Sequence, residues 1–229
     1  LHKRIALKMR LSIGTDAKYL IGGFMLVSAL ISMWIMNTST TLMLLPIGLA
    51  IAGVVRNTTS LDKDFRNFQT ALLLGIAYAA TIGGMATPIG TGPNIVVISL
   101  IQEQGLDVTF DQWMLLATPI SAIMLLVGWW LLTHIIFPIK ITGNEDTKNS
   151  LQKMYLDLGK ISVDDRRVLI IFILTALAWM TRDVLDELFL FQGLTDYGIA
   201  IIAALAVFIT RSSTGSGLIE WNITSKLPW

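Results

Sequence analysis

The sequence has 229 residues, of which 54% are hydrophobic and only 14% are charged, and its formal net charge is +1. Soluble domains carry about 45 to 50% apolar and about 25% charged residues, so this composition predicts a membrane protein. The small net charge excludes a globally basic nucleic-acid binder, and the absence of cysteine excludes a disulfide framework and a cysteine-ligated metal site.

The chain begins with a basic segment, residues 1 to 18. Five basic side chains stand against Asp16 alone and are interleaved with apolar residues. This pattern predicts an amphipathic helix lying at the cytoplasmic face of a lipid bilayer, with a solvated connector as the alternative. The sequence starts at Leu1 without an initiator methionine and shows no secretory signal peptide, so we expect it to be a fragment of a longer chain.

Residues 19 to 55 are predicted to form a helical hairpin. Residues 19 to 36 and 42 to 55 are apolar and uncharged, and polar residues 37 to 41 separate them. Basic flanks on both sides place both ends in the cytoplasm. The second arm, residues 42 to 55, would be a helix of only about 21 Å, whereas a span needs about 20 residues, or about 30 Å. This short arm favours a re-entrant hairpin with its tip inside the membrane. A full hairpin with an external turn, or a capped helix turn at the tip, are the alternatives.

A broken membrane helix is predicted over residues 71 to 101. Residues 71 to 82 are apolar or small, residues 83 to 94 are rich in Gly, Thr and Pro, and residues 95 to 101 resume the apolar pattern. Non-helical backbone at membrane depth is tolerated only where protein or a water-filled cavity satisfies its polar groups. Two polar interruptions in one membrane region, 19 to 101, therefore indicate the binding site of a secondary transporter.

Residues 102 to 229 are predicted to contribute further membrane helices and a scaffold or interfacial connection. Residues 102 to 112 hold acidic side chains only and are placed outside, whereas residues 139 to 167 carry six basic side chains and return to the cytoplasm. Ser162-Val163-Asp164-Asp165 resembles a capping box before a helix. The predicted membrane helices cover residues 113 to 136, 168 to 182 and 197 to 210.

The two interruptions contain no group suited to enzyme catalysis. The sequence has no HExxH, GxSxG or P-loop pattern, and Pro93 stands where a P-loop would need lysine. Neither interruption carries an ionisable side chain, which argues against a buried proton relay. We therefore predict no enzyme, no catalytic residue and no metal centre. The remaining hydroxyls, amides, carbonyls and helix ends suit an alkali cation or an anion.

The motifs at the two interruptions are distinctive in combination. The first is Ser32-Met33-Trp34-Ile35-Met36-Asn37-Thr38, and the second is Ala79-Ala80-Thr81-Ile82-Gly83-Gly84 followed by Gly90-Thr91-Gly92-Pro93-Asn94. Together they resemble the divalent-anion/sodium symporter family of Indy-type di- and tricarboxylate transporters, whose hairpin tip reads Ser-Asn-Thr. The resemblance covers the first repeat and the connection towards the second.

This resemblance implies an all-α membrane protein that is half of an inverted-repeat, elevator-type transporter. Residues 19 to 101 would belong to the mobile transport domain, and a second repeat of the same protein would complete the site. The resemblance further implies a homodimer with several spans in the plasma (inner) membrane and a small dicarboxylate of the succinate, malate, fumarate or 2-oxoglutarate type as substrate. It implies no cofactor other than a candidate Na⁺ ion.

The resemblance also implies which residues form the site. In such proteins the tip residues contact a substrate carboxylate, and a sodium ion lies between the tip and the glycine loop. The implied substrate-binding residues are Asn37, Thr38, Thr91, Gly92 and Pro93. The implied cation site consists of Ser32, Asn37, Thr81, Gly83 and Gly84.

Met36 departs from the family pattern because it replaces the first serine of the tip motif. A thioether is a soft ligand that binds sodium poorly, so this substitution favours sodium-independent dicarboxylate exchange. A sodium-coupled di- or tricarboxylate symporter is the alternative. An alternative of another class is a structural membrane subunit, in which Gly and Thr serve only close helix packing.

Overall fold

Helices account for most of the described residues, which in this computed structural model are 16–58, 62–141, 161–182, 195–213 and 217–218. The predicted interfacial helix over residues 1 to 18 lies almost wholly outside them. In the described part, the single β-bridge joins Arg211 and Gly217. The chain divides into two compact units, Leu1–Gly159 and Lys160–Trp229. The helices of the first unit are α1 Ala17–Ser32, α2 Asn37–Thr58, α3 Asp62–Gly84, α4 Gly92–Glu103 and α5 Phe110–Trp130.

The core of the first unit forms where α1 and α2 pack against α3. Phe24 of α1 and Phe68 of α3 are almost completely buried, and the Ser28 hydroxyl donates to the Ile76 carbonyl oxygen at 2.7 Å. A side chain at Gly83 would place its Cβ 2.6 Å from the carbonyl carbon of Ala29. Glycine therefore allows the backbones of α1 and α3 to meet directly, as small residues do between membrane helices.

Helix α2 is longer than the predicted return arm of the hairpin. It begins at Asn37 and runs for 22 residues, or about 33 Å, and its Asn37–Arg56 part is long and apolar enough to cross a membrane. Residues 37 to 41 form its first turn, in which the Thr41 hydroxyl donates to the Asn37 carbonyl at 2.9 Å. The predicted length of the second arm is therefore wrong, because the polar tip residues extend the helix, and the re-entrant hairpin itself stays a prediction.

The break between α3 and α4 is shorter than predicted. Helix α3 has 23 residues and starts with Asp62 and Asp64 in its first turn, where their charges favour the helix dipole. It includes Gly83 and Gly84, so the non-helical stretch is reduced to residues 85 to 91. Helix α4 then runs for 12 residues with Pro93 in its first turn, where the missing N–H disturbs no helical hydrogen bond.

Helix α5 continues into a π-helical turn, Leu131–Ile136. Thr109 caps its start in a capping box with Gln112. The combined Phe110–Ile136 stretch has 27 residues and is the second one in the described part that is long and apolar enough to span a membrane. Trp129 donates its Nε1–H to the Lys18 carbonyl at 2.9 Å and so lies against the start of α1.

The second unit contains α6 Val163–Met180 and α7 Asp196–Ile209. Ser162 caps α6, and its Oγ accepts from the Asp165 amide at 3.0 Å, which confirms the helix start expected from the capping-box pattern. Arg182 pairs with the Asp196 carboxylate at 3.3 Å. Most apolar side chains of α6 and α7 are exposed within this unit. Residues 183 to 194 and most of the segment from 212 to 229 lie outside the described residues.

Candidate functional site

Three segments meet around the side chain of Asn37: the end of α1, the start of α2 and the break before α4. The Ser32 hydroxyl donates to Asn37 Oδ1 at 2.8 Å. On its other side, Asn37 Nδ2 donates to Thr91 Oγ1 at 3.5 Å. The Asn37 amide therefore links the hairpin tip to the break across 54 residues of sequence.

Two glycines make room for this meeting. A Cβ at Gly84 would collide with Asn37 Oδ1. A Cβ at Gly90 would lie 2.5 Å from the Gly84 carbonyl oxygen and 2.9 Å from that of Ser32. Both positions therefore need the smallest residue for reasons of space, and the glycine-rich composition of the break follows from its close packing against the hairpin tip.

A second polar network holds the break in shape. Asn94 is 7% exposed, and its Nδ2 donates to the carbonyl oxygens of Gly84 at 2.9 Å and Thr87 at 2.7 Å. Thr87 is completely buried, and its hydroxyl donates to the Met33 carbonyl and accepts from the Gly90 amide. Backbone groups that leave a helix thus find side-chain partners, as burial requires.

Asn94 and Thr87 are absent from the sequence-based site. Asn94 was visible as a polar amide next to Pro93 in a charge-free stretch of residues 67 to 102, and such a group needs a partner when it is buried. Thr87 gave no comparable signal, because its partner, the Met33 carbonyl, belongs to another segment 54 residues away.

Helix α5 supports the break from the other side. Trp113 Nε1 donates to the Met85 carbonyl at 3.1 Å, and the Thr118 hydroxyl reaches the Ala86 carbonyl at 3.5 Å. Near the same end, the rings of Trp34 and Phe110 stack with centroids 6.1 Å apart. The non-helical carbonyls are therefore held between the hairpin tip and α5, which fixes the position of the break.

The structure brings together only part of the residues expected from the sequence. Ser32, Asn37, Gly84 and Thr91 form one contact group. Gly83 adjoins this group but faces the backbone of Ala29. Thr38, Gly92 and Pro93 are exposed beside it, at the first turns of α2 and α4.

Thr81 does not join the contact group. Its side chain is exposed, and its hydroxyl donates to the Ala77 carbonyl at 3.2 Å within α3. In this structure the expected cation site therefore offers the oxygens of Ser32 and Asn37 without that of Thr81. The Thr81 hydroxyl already has a hydrogen-bond acceptor in the preceding turn of its own helix, so it does not need a ligand as a partner.

The electrostatic character of the site comes from helix ends rather than charged side chains. The N-termini of α2 and α4 begin beside the Asn37–Thr91 contact, and helix N-termini carry a partial positive charge that favours anions. Pro93 has no N–H, and the backbone N–H of Asn94 donates to the Thr91 carbonyl at 3.1 Å. The start of α4 therefore offers few free backbone donors to an anion. Met36 has no side-chain oxygen with which to cap α2, so the first amides of α2 are the better anion donors.

Comparison with known proteins gives one family. The family model described as "Sodium:sulfate symporter transmembrane region" matches residues 1–229. The chain is 30% identical over 237 residues to the sodium-dependent dicarboxylate transporter SdcS of Staphylococcus saprophyticus, covering 100% of this chain and 46% of the relative. The proteins of the same name from Staphylococcus aureus strains USA300 and bovine RF122 are 30% and 29% identical, with the same coverage.

The relatives are longer than this chain. The chain spans 46% of their length, so their whole-protein activity is not read directly from it. The match confirms the resemblance inferred from the tip and broken-helix motifs. The chain belongs to the sodium:sulfate symporter transmembrane-region family, which is a family of transporters and not of enzymes.

Proposed function

We propose that this chain forms part of a sodium-coupled transporter of small dicarboxylates. The observation that carries the proposal is the position of Asn37, which is held by Ser32 and reaches Thr91 where two helix N-termini meet. Relatives described as sodium-dependent dicarboxylate transporters support it. Their description favours the sodium-coupled alternative over the sodium-independent exchange that Met36 suggested.

The substrate carboxylate would bind at the start of α2. Asn37 Nδ2, the Thr38 hydroxyl and the first amides of α2 are donors, and the Thr91 hydroxyl lies within reach of Asn37. A carboxylate held by amides and hydroxyls at a helix N-terminus needs no arginine or lysine. This half-site provides for one carboxylate, so the second carboxylate of the substrate would be held by a second repeat of the same protein.

Sodium would bind on the opposite side of the same asparagine. Ser32 Oγ and Asn37 Oδ1 are hard oxygen donors of the kind that suit an alkali cation, and they are 2.8 Å apart. With Oδ1 turned to sodium and Nδ2 turned to the carboxylate, one amide would contact both ions. Opposite charges that share a water-poor site stabilise each other, which gives a physical basis for coupled binding.

We further propose the arrangement of the whole transporter. Residues 19 to 101 would form the transport part and residues 102 to 229 the scaffold and interface, in a homodimeric, multi-pass protein of the plasma membrane that works by an elevator movement. The tip at Asn37 contacts a break that follows the charge-free residues 67 to 84, about 27 Å of α3. That contact supports a hairpin tip lying at membrane depth, although α2 is long enough to cross.

Counterflow of labelled succinate in liposomes containing the full-length protein tests the proposal. We expect Asn37→Ala and Thr38→Ala to abolish counterflow without loss of protein. Asn67→Ala is the matched control, because it removes the same amide from the cytoplasm-facing start of α3. Near-normal counterflow in Asn37→Ala would remove that residue from the site.

Sodium coupling is tested in the same liposomes by replacing sodium with choline. We expect transport to collapse in choline, whereas unchanged transport would support exchange. Met36→Ser should lower the sodium concentration needed for half-maximal transport, since it restores a hydroxyl at a residue that is 64% exposed. A structural subunit, in contrast, would gain no thermal stability from millimolar dicarboxylate.

A further inference from the structure

A cavity opens at the start of α1, the end that lies away from the Asn37 group. It has a volume of about 380 Å³. It lies between the start of α1 and the segment that follows the π-helical turn, and its lining combines basic, acidic and aromatic side chains. The lining residues are Asp16, Lys18, Tyr19, Trp129, His134, Ile139, Lys140 and Ile141.

The two lysines mark one membrane face. Lys18 precedes the charge-free residues 19 to 55, and Lys140 follows residues 112 to 139, which contain no Lys, Arg, Asp or Glu. Backbone contacts hold these ends together, since the Ala17 amide donates to the Ile141 carbonyl at 3.4 Å. The positive-inside rule assigns this face to the cytoplasm.

The aromatic lining is typical of lipid headgroup depth. The rings of Tyr19 and Trp129 stack with centroids 6.3 Å apart, and Trp129 is fixed by its hydrogen bond to the Lys18 carbonyl. Tyrosine and tryptophan concentrate at membrane interfaces because they have an apolar body and a polar edge. Next to the cavity, Ile135 and Ile136 are each 56% exposed and offer an apolar surface for acyl chains.

The π-helical turn shapes one wall of the cavity. Such turns occur frequently at functional sites, because the extra residue re-aims the side chains around it. Here His134 stacks on Trp130, and its Nδ1 lies 2.9 Å from the Thr133 hydroxyl and 3.2 Å from the Trp130 carbonyl. These contacts place the exposed His134 ring in the lining of the cavity.

We propose that this cavity binds the phosphate group of an anionic phospholipid from the cytoplasmic leaflet. Lys18 and Lys140 neutralise the phosphate, while Tyr19 and Trp129 contact the glycerol region. Asp16 in the lining limits the positive charge, so the cavity suits a lipid with one phosphate, such as phosphatidylglycerol, rather than a polyphosphoinositide. This binding requires no transported substrate and is therefore separate from the proposed transport function.

The test is native mass spectrometry of the full-length protein, without dicarboxylate, titrated with phosphatidylglycerol or phosphatidylcholine. We expect tighter binding of phosphatidylglycerol. Each lysine near an anionic lipid contributes about a fivefold effect, so the double variant Lys18→Gln/Lys140→Gln should bind phosphatidylglycerol about thirtyfold more weakly. The matched control Lys63→Gln/Arg66→Gln removes two exposed basic side chains from the start of α3 and should bind as the wild type does.

Three results would overturn the proposal. Equal binding of the two lipids would mean that the cavity does not select a net negative charge. Equal loss in the control variant would mean that overall charge and not this cavity attracts the lipid. Thermal stabilisation by inorganic phosphate equal to that by phosphatidylglycerol would assign the site to a soluble anion. If the double variant fails to fold, Lys140→Gln alone, at an exposed position, should still weaken phosphatidylglycerol binding about fivefold.

Discussion

The side-chain amide of Asn37 is both an acceptor and a donor: its Oδ1 accepts a hydrogen bond from Ser32, and its Nδ2 donates one to Thr91. A carboxylate or a hydroxyl in its place could not do both with fixed geometry, because a carboxylate has no donor and a hydroxyl is not planar, whereas an amide carries a donor and an acceptor on one rigid plane. The consequence at the scale of single residues is that small changes beside Asn37 should act on binding before they act on folding.

Gly84→Ala and Gly83→Ala should separate these two effects. Alanine at Gly84 collides with the Asn37 side chain, which can turn away, so we expect at least about a tenfold loss of succinate counterflow with little change in thermal stability. Alanine at Gly83 collides with the main chain of Ala29, so we expect a loss of about 1 to 3 kcal/mol in stability. Gly53→Ala, which meets open space, is the control for both. Equal behaviour of the first two variants would contradict this assignment.

Thr87→Val should destabilise the break. Valine keeps the shape of threonine but removes a buried hydroxyl that serves both the Met33 carbonyl and the Gly90 amide. Leaving such groups without a partner costs about 1 to 3 kcal/mol, which a lower unfolding temperature would report. Thr87→Ser retains the hydroxyl and should recover most of the loss. A Val variant as stable as the Ser variant would show that the hydroxyl contributes nothing.

The sequence could indicate part of this site and not the rest. Asn37 and Thr91 stand out because polar residues interrupt apolar stretches, and such interruptions need a functional or structural partner. The contact between the Thr87 hydroxyl and the Met33 carbonyl depends on how two distant segments pack, and no local pattern encodes it. Thr81 shows the converse, since its motif position suggested a ligand but its hydroxyl bonds to its own helix.

At the scale of elements, the sequence predicts which segments are helical better than it predicts where each helix begins and ends. The apolar segments of the sequence locate α3, α5, α6 and α7, but polar first turns extend α2 and α3 beyond their apolar parts. At the start of α3, Asp62 and Asp64 interact favourably with the helix dipole, whereas in the first turn of α2 the Thr41 hydroxyl bonds to the Asn37 carbonyl. A count of apolar residues overlooks both contributions, and the predicted second arm of the hairpin is too short for this reason.

The start of α6 offers a pH-dependent contact outside its apolar residues 168 to 180. Asp164 accepts hydrogen bonds from the Ser212 hydroxyl and from the Ser213 amide and hydroxyl, and these bonds, with a smaller contribution from Arg167, lower the pKa of its carboxyl below 3.8. The ionised form is therefore favoured in the folded state. Its stabilisation is fully present above pH 3.8 and is lost as the pH falls through the lower, folded-state pKa.

Asp164→Asn should reproduce the acid behaviour at neutral pH. The amide removes the charge that the two serines and Arg167 favour, so we expect the Ser213 amide to exchange hydrogen faster in this variant than in the wild type at pH 7. The difference should disappear once the pH falls below the lowered pKa of the folded state, where the wild-type carboxyl is protonated too. Hydrogen exchange corrected for intrinsic rates measures it, and a difference that persists in acid would contradict the linkage.

At the scale of the whole molecule, charge in the loops decides orientation. The charged side chains of residues 102 to 112 are all acidic, whereas the start of α3 carries Lys63 and Arg66. These two regions are therefore predicted on opposite sides of the membrane. The high apolar content of the sequence also predicts exposed apolar side chains on α5, where Leu115 and Leu116 are 81% and 70% exposed. What covers each of those side chains is set by lipid and by protein surfaces that local patterns do not specify.

Single cysteines test this orientation cleanly, because the sequence contains none of its own. In a cysteine-free full-length background, Gln104→Cys should react with a membrane-impermeant maleimide added outside intact cells. Lys63→Cys should react only after the membrane is opened. Both positions are exposed, so access and not burial decides the result. Labelling of both from outside would reject the predicted topology.

The backbone contact between Gly83 and Ala29 limits how the molecule can move. Helices that meet through long side chains can slide by exchanging rotamers, but helices that touch through main-chain atoms cannot do so without a clash. Helices α1 and α3 should therefore travel as one rigid body. Spin labels at the exposed Leu30 and Tyr78 would then keep a single separation through every stage of the proposed transport cycle.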